Sequence, residues 1–274
     1  MCELLALSAN TPTDMTFSFR GLVRRGGATG DHGDGWGLAS YDPEGLRLTM
    51  VREEAPAAFS PVAAKVSNLE LKAHCSIAHI RKATQGSVAI ENCHPFHRHW
   101  QGLDWVFAHN GDLDHGRIPT SEQFVPLGST DSERAFCWIL DQLASGDLDL
   151  NDHSALFAAL IRCADHLAVE GIFNCLLSNG HWLFVYGGTK LHVLTRRAPF
   201  TTATLADDDL QVDFSQVTTP SDVVTIVSTE PLTTDELWRP LLPSEALLLV
   251  HGEVELHHVS VVTNPLSPAS RPNT

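Results

Sequence analysis

Cysteine stands second in this 274-residue chain, directly after Met1. Removal of Met1 would leave Cys2 carrying both a thiol and a free α-amine. Together these form a nucleophile and its own base, because the amine can take the proton the thiol must lose. Their ordinary pKa values lie near neutrality, about 8.5 for the thiol and about 7.7 to 8.0 for the amine. The chemistry on offer is attack on an acyl carbon. A cysteine in this place is equally compatible with a small buried hydrophobe, so the rest of the chain has to decide.

Other residues supply what such an attack needs. A thiolate adding to an amide carbonyl makes a tetrahedral oxyanion, which calls for hydrogen-bond donors aimed at the developing charge. Asn110 can offer its side-chain N–H and Gly111 its backbone N–H, and glycine permits close backbone approach. Asn-Gly is also the standard dipeptide of a tight hairpin turn, but here it follows the apolar run Trp105–Ala108. Arg81 can grip a carboxylate with two parallel bonds or form a surface ion pair, and it follows the apolar stretch Cys75–Ile80. Asp131 can pair with an ammonium, or serve only as an acidic residue favoured in the first turn of a helix. Thr84 can bond its own loop, and His94 can brace Pro95.

Five segments stand in order behind Cys2: Gly33-Asp34-Gly35-Trp36-Gly37, His79-Ile80-Arg81-Lys82-Ala83-Thr84, His94-Pro95-Phe96, His109-Asn110-Gly111-Asp112 and Ser129-Thr130-Asp131-Ser132-Glu133. The series resembles the glutaminase domain of the class II glutamine amidotransferases, which are N-terminal-nucleophile hydrolases. The motifs reach from Cys2 to about Ala144, and the strands that follow fit the same domain. The resemblance implies Cys2, Asn110 and Gly111 as catalytic residues. It implies Arg81 for a substrate α-carboxylate, Asp131 for the α-ammonium, and Thr84 and His94 lining or supporting the pocket. The glycine segment is expected to shape the backbone near the nucleophile, with Trp36 in the core. The D-G-W-G segment suggests a stand-alone branch that includes an amidohydrolase of ergothioneine synthesis. Lys82 and Gln85 depart from the pattern of amidotransferases such as glucosamine-phosphate synthase, where an aromatic follows the arginine and a histidine follows the threonine. That departure, with no synthase segment following, counts against coupling to a built-in synthase.

The elements that must position these residues are legible in outline. A strand is expected over Cys2–Ala9, a turn over Asn10–Thr13, and a helix capped by Thr13 and running to about Arg25. Strands are expected over Trp36–Tyr41, Leu46–Arg52, Ala73–Arg81 and Asp104–His109, with a helix over Ala57–Asn68. The T-x-x-E pattern at Thr130–Glu133 predicts a capping box and a helix behind it. A second helix is expected over Ser154–Val169, stopping at Gly171. Ile172–Ser178, Trp182–Tyr186, Leu191–Thr195, Val223–Ser228 and Ala246–Val250 follow as strands, with turns at Asn179-Gly180 and His251-Gly252. Gly187–Lys190 lacks the spacing of a phosphate loop. Without alternating βαβ units, a parallel nucleotide-binding sheet is not expected. The expected class is α+β, a four-layer αββα sandwich of two antiparallel sheets flanked by helices, the N-terminal-nucleophile hydrolase fold. One domain is expected over residues 1–263, then a mobile Pro/Ser-rich tail over 264–274.

Composition narrows the partners. A formal net charge of -15 argues against nucleic acid or an anionic membrane. The N-terminus lacks the basic region of a signal peptide, and no apolar run approaches the length of a membrane span. The six cysteines show no C-x-x-C spacing and read as reduced thiols, giving a cytoplasmic expectation. Fifteen histidines occur without an H-E-x-x-H pattern, so neither metal nor organic cofactor is expected. His97, His99, His257 and His258 read as surface or loop residues. The expected partner is a small molecule, glutamine or a γ-glutamyl compound, with a separate ammonia-accepting synthase as an option. The alternatives are an amidohydrolase for a γ-glutamyl conjugate, or a non-catalytic γ-glutamyl-binding protein if Met1 is retained.

Overall fold

Glu3–Thr13 forms the first strand, β1, and its side chains alternate between two apolar layers. Leu4 and Ala6 point to one side, Leu5, Leu7 and Ala9 to the other, and all five are buried. A strand apolar on both faces belongs inside a layered fold, because neither face can be left to water. The computed structural model describes residues 2–261 apart from 46 and 147; the expected tail over 264–274 lies outside the described residues.

After β1 come α1 (Thr16–Arg25), β2 (Trp36–Tyr41), β3 (Leu48–Glu53), α2 (Pro61–Val66), β4 (Ala73–Ile80), β5 (Phe96–Trp100), β6 (Leu103–Leu113), α3 (Asp131–Ser145) and α4 (His153–Val169). Nine strands complete the fold: β7 (Gly171–Ser178), β8 (Leu183–Gly187), β9 (His192–Arg197), β10 (Thr202–Thr204), β11 (Gln211–Asp213), β12 (Val223–Ser228), β13 (Arg239–Pro240), β14 (Glu245–Val250) and β15 (Glu253–Val259). One large sheet has the order β13-β9-β12-β1-β4-β2-β3, a second β15-β14-β8-β7-β6-β5, β10 and β11 pair in a small third, and every pairing is antiparallel. Leu4, Ala6 and Ile77 of the first sheet meet Val106, Ala108, Leu176, Val185 and Leu247 of the second in a shared core. The helices α1 and α2 cover the outer face of the first sheet, with Phe19, Leu22 and Val66 against Leu5, Leu7 and Ile226. Phe136, Leu140, Leu160 and Leu167 of α3 and α4 cover the second sheet over Phe107, Phe173 and Phe184. This is the expected αββα sandwich.

Several local expectations change. Asn10–Thr13 continues β1 through an irregular register rather than turning. The first helix starts at Thr16, where Asp14 rather than Thr13 accepts an N-terminal N–H, at 3.2 Å from Thr16 N. The Ala57–Asn68 segment breaks into a single tight turn and the short α2, because Ser60 is extended before Pro61. Thr130 caps α3 by accepting from Glu133 N at 3.2 Å. The Glu133 carboxylate does not close the box, bonding instead to Gly128 N at 2.6 Å and Arg98 at 2.7 Å. His97 and His99 lie on β5, both bonded to Asp104, and His257 and His258 lie on β15. Among the described residues, no helix is long and apolar enough to cross a membrane.

Candidate active site

Strand register places Cys2. Glu3 pairs with Ile80 across β1 and β4, so Cys2 falls beside Arg81 and Lys82 at the ends of both strands. The half-buried Cys2 Sγ lies 3.4 Å from both the backbone N and O of Lys82. The Lys82 ammonium turns outward to Asp31, so only the main chain of this residue meets the thiol. Burial pushes the Cys2 thiol above its ordinary value. The Lys82 N–H and the Arg81 charge oppose that rise, and Asp131 adds to it. Next to Cys2, Glu3 is held by the buried Arg25 at 2.9 Å, and Arg25 also binds Asp207 at 2.6 Å and Pro231 O at 2.6 Å.

The glycine-rich segment lies directly behind this turn. Arg81 N donates to Gly35 O at 2.7 Å, Asp34 N to Arg81 O at 3.0 Å, and Ala83 N to the Asp34 carboxylate at 2.8 Å. Gly35 has φ +135, and a Cβ there would stand 2.6 Å from Cys93 Sγ. Glycine is therefore demanded both by the backbone angle and by the approach. Trp36 is fully buried, with its indole N–H on Glu53.

The second sheet contributes Asn110 and Gly111 from β6. Asn110 follows Val106 and Ala108 on the face turned towards the first sheet, where strand alternation carried back from Leu4 also directs Cys2. Its side chain is fully buried. The Asn110 amide lies 3.3 Å from the Thr229 hydroxyl, and its Oδ1 has no partner among the described residues. A Cβ on Gly111 would collide with the carbonyl of Ile172 on the neighbouring strand. Asn174 of β7 braces the pair: its Nδ2 donates to Asn110 O at 2.8 Å, and its Oδ1 accepts from the N–H groups of Gly188, Thr189 and Lys190.

Between the sheet ends is a narrow pocket of about 20 Å³. Cys2, Arg81, Thr84, His94, Gly111 and Asp131 all line it. Of the seven candidate residues only Asn110 does not; its side chain is fully buried beside Gly111. Arg81 is buried and donates to the carbonyls of Ser87 and Gln85 at 3.0 Å and Gly86 at 3.4 Å, which fixes its guanidinium under the 82–90 loop. Gln85 ties that loop to the end of β6 through Asp112 at 2.6 Å and Leu113 O at 3.0 Å. Asp131, at the start of α3, accepts from Leu113 N at 2.8 Å. Thr84 is exposed at the mouth.

Three buried histidines gather here: His94 and His109 line the pocket, and His79 stacks on His94. His79 and His94 are buried with ring centroids 4.1 Å apart, and neither ring nitrogen of His94 has a partner among the described residues. His109 bridges Ser132 Oγ at 2.8 Å and Ile172 O at 3.1 Å. Burial pushes His79 down to about 3, His94 well below the ordinary histidine range, and His109 down as well. All three are neutral at physiological pH. Asp34, His109 and Thr229 carry parts of this arrangement that the sequence reading gave no role. Asp34 and His109 stand within the quoted motifs, whereas nothing local marks Thr229.

Comparison with known proteins agrees with the geometry. The family model for class II glutamine amidotransferases matches residues 1–272. The Escherichia coli protein "Putative glutamine amidotransferase YafJ" is 46% identical over 254 residues, 92% of this chain and 99% of that one. A Haemophilus influenzae protein of similar name is 42% identical, covering 92% of this chain and 85% of that one. A crystal structure from Pseudomonas aeruginosa, described as a predicted glutamine amidotransferase, superposes with TM-score 0.72 at 39% identity, over 93% of this chain and all of that one. Glutamine phosphoribosylpyrophosphate amidotransferase from Bacillus subtilis shares the fold, with TM-score 0.60 at 16% identity over 94% of this chain and 49% of that one. With its αββα sandwich and a cysteine at the end of the first central strand, the chain belongs to the class II glutamine amidotransferases.

Proposed function

We propose that this protein hydrolyses the side-chain amide of glutamine, or of a γ-glutamyl amide, through a Cys2 thioester. The observation that carries the reading is the meeting of a half-buried Cys2 thiol with buried Arg81 and Asp131 in one pocket. Two opposite charges a short way from a nucleophile suit the α-carboxylate and α-ammonium of a glutamyl head group. Arg81 has five N–H groups and spends three bonds on its own loop, which leaves donors for a carboxylate.

In this reading Met1 is removed, and the α-amine of Cys2 takes the thiol proton as sulfur attacks the carboxamide carbon. The C=O π electrons move to oxygen, and Asn110 and Gly111 stabilise that oxyanion. Collapse breaks the C–N bond as the ammonium returns its proton to the leaving nitrogen, so ammonia or an amine departs. Water, deprotonated by the same amine, then cleaves the thioester and releases glutamate. A thiol held above its ordinary pKa is protonated at neutral pH, so attack waits for the adjacent amine. The pocket in its present form holds about one water, so it has to widen before a glutamyl head group can enter. The unpaired cysteines fit a reducing, cytoplasmic setting.

The test is intact mass before and after incubation with diazo-oxo-norleucine, together with glutamate release from glutamine and γ-glutamyl amides. Loss of Met1, one adduct on Cys2, and turnover that Cys2→Ala abolishes without loss of fold are expected. Full turnover in Cys2→Ala refutes the reading, and retention of Met1 in an inactive protein favours a γ-glutamyl-binding role.

A further inference from the structure

We infer that Thr229 is a positioning residue that turns the Asn110 amide so that its N–H₂, not its carbonyl, faces the reacting group. The inference rests on the oxyanion role proposed for Asn110. Thr229 follows β12 directly and is buried. It holds the nucleophile strand by two bonds: its N–H donates to Leu4 O at 3.1 Å, and its Oγ1 accepts from Leu4 N at 2.9 Å. Its own carbonyl accepts from His192 at 2.9 Å. The hydroxyl also lies 3.3 Å from the Asn110 amide nitrogen. One side chain thus touches the Cys2 strand in the first sheet and the Asn110 strand in the second.

Counting hydrogens decides the orientation of the amide. With Nδ2 towards Thr229, the hydroxyl receives N–H groups from Leu4 and Asn110, and among the described residues no acceptor takes its own hydrogen. At the same time Asn110 Oδ1 is left buried without a partner. Each loss is costly in a water-free interior. Exchanging the amide O and N leaves every heavy-atom position unchanged and trades both losses for a single one, the N–H₂ hydrogens at the former Oδ1 position. The Thr229 O–H then donates to Oδ1 while still accepting from Leu4 N. The Nδ2 group moves to the position of the orphaned atom, with hydrogens free to bond an oxyanion. A group otherwise costly to bury becomes satisfied only when negative charge arrives, which favours the transition state over the ground state.

The experiment has one arm that needs no activity and one that does. Neutron diffraction on the deuterium-exchanged protein reads the amide directly. Deuterium on the Asn110 atom remote from Thr229 is expected, and deuterium on the atom facing Thr229 overturns the inference whatever the enzyme acts on. In the kinetic arm, Thr229→Val keeps the side-chain size and removes the hydroxyl. It should lower kcat by about 10²-fold, the usual effect of losing an oxyanion donor, with KM within about threefold. Thr229→Ser should restore most of kcat. Alkylation of Cys2 by iodoacetamide, which forms no oxyanion, should proceed within about twofold of the parent rate in both variants. Turnover of Thr229→Val within twofold of the parent, or a parallel fall in alkylation, overturns the inference. An inactive parent whose amide nevertheless faces as inferred would instead refute the glutaminase reading.

Discussion

Acid should destabilise this fold through His79, and the size of the effect follows from its surroundings. The imidazole is fully buried, stacks on the equally buried His94, and has only the His109 main chain to oppose the desolvation. Burial holds it neutral down to about pH 3, against 6.5 in the unfolded chain. A folded-state value below the unfolded one means that the unfolded chain takes up the proton first. The stabilising contribution is complete above about pH 6.5 and is lost as pH falls from there towards 3. At pH 5 the unfolded imidazole lies about 1.5 pH units below its midpoint, while the folded one is still neutral. At about 1.4 kcal/mol per unit, this single group costs about 2 kcal/mol between pH 7.5 and 5. The perturbation is His79→Phe, which keeps an aromatic ring against His94 and removes the titration. Urea unfolding of parent and variant at both pH values is the assay. Any packing cost of phenylalanine is independent of pH and cancels when each protein is compared with itself. The parent should lose about 2 kcal/mol more than the variant on acidification. Equal losses would show that His79 is already protonated, or solvated, in the folded protein.

Two further outcomes follow from contacts near Cys2. Arg25→Met leaves Glu3 and Asp207 without their shared cation in a mostly buried position, and should cost about 3 to 5 kcal/mol in chemical denaturation; adding Glu3→Gln should recover part of the loss. Lys82→Ala removes only a solvent-facing ion pair with Asp31 and keeps the main-chain contact with Cys2, so glutaminase turnover should stay within about twofold of the parent.

How far the sequence could be read depended on whether the informative contact was local. The strand β1 was legible because its residues are apolar on both faces, and α3 because Thr130 caps it three residues before Glu133. The edge strand β5, Phe-His-Arg-His-Trp, has polar residues whose partners lie on β6, so no run of its own marks it. The last strand, β15, is largely exposed, and its short Glu-Val-Glu-Leu-His alternation breaks off at His257-His258, too brief to flag a half-buried strand. In the candidate site, six of the seven residues line one pocket because the ends of β1, β4 and β6, the start of α3 and the loop segments next to them meet on one side of the sandwich. What stayed invisible is spatial. Thr229 meets Asn110 across 119 residues of chain, and the stacked pair His79 and His94 arises only when the two segments pack together.

The place of β1 in the middle of its sheet bears on the order in which the molecule is made. Its hydrogen bonds run on one side to β4 and on the other to β12, and the Leu4–Thr229 contact spans 225 residues. A growing polypeptide can therefore not close both flanks of the cysteine strand until about residue 229 has left the ribosome. Contacts this distant in sequence come at the greatest loop-closure cost and form late. The first residues synthesised are thus among the last to be locked in place, and a partly made chain carries the thiol without the frame that encloses it in the finished fold.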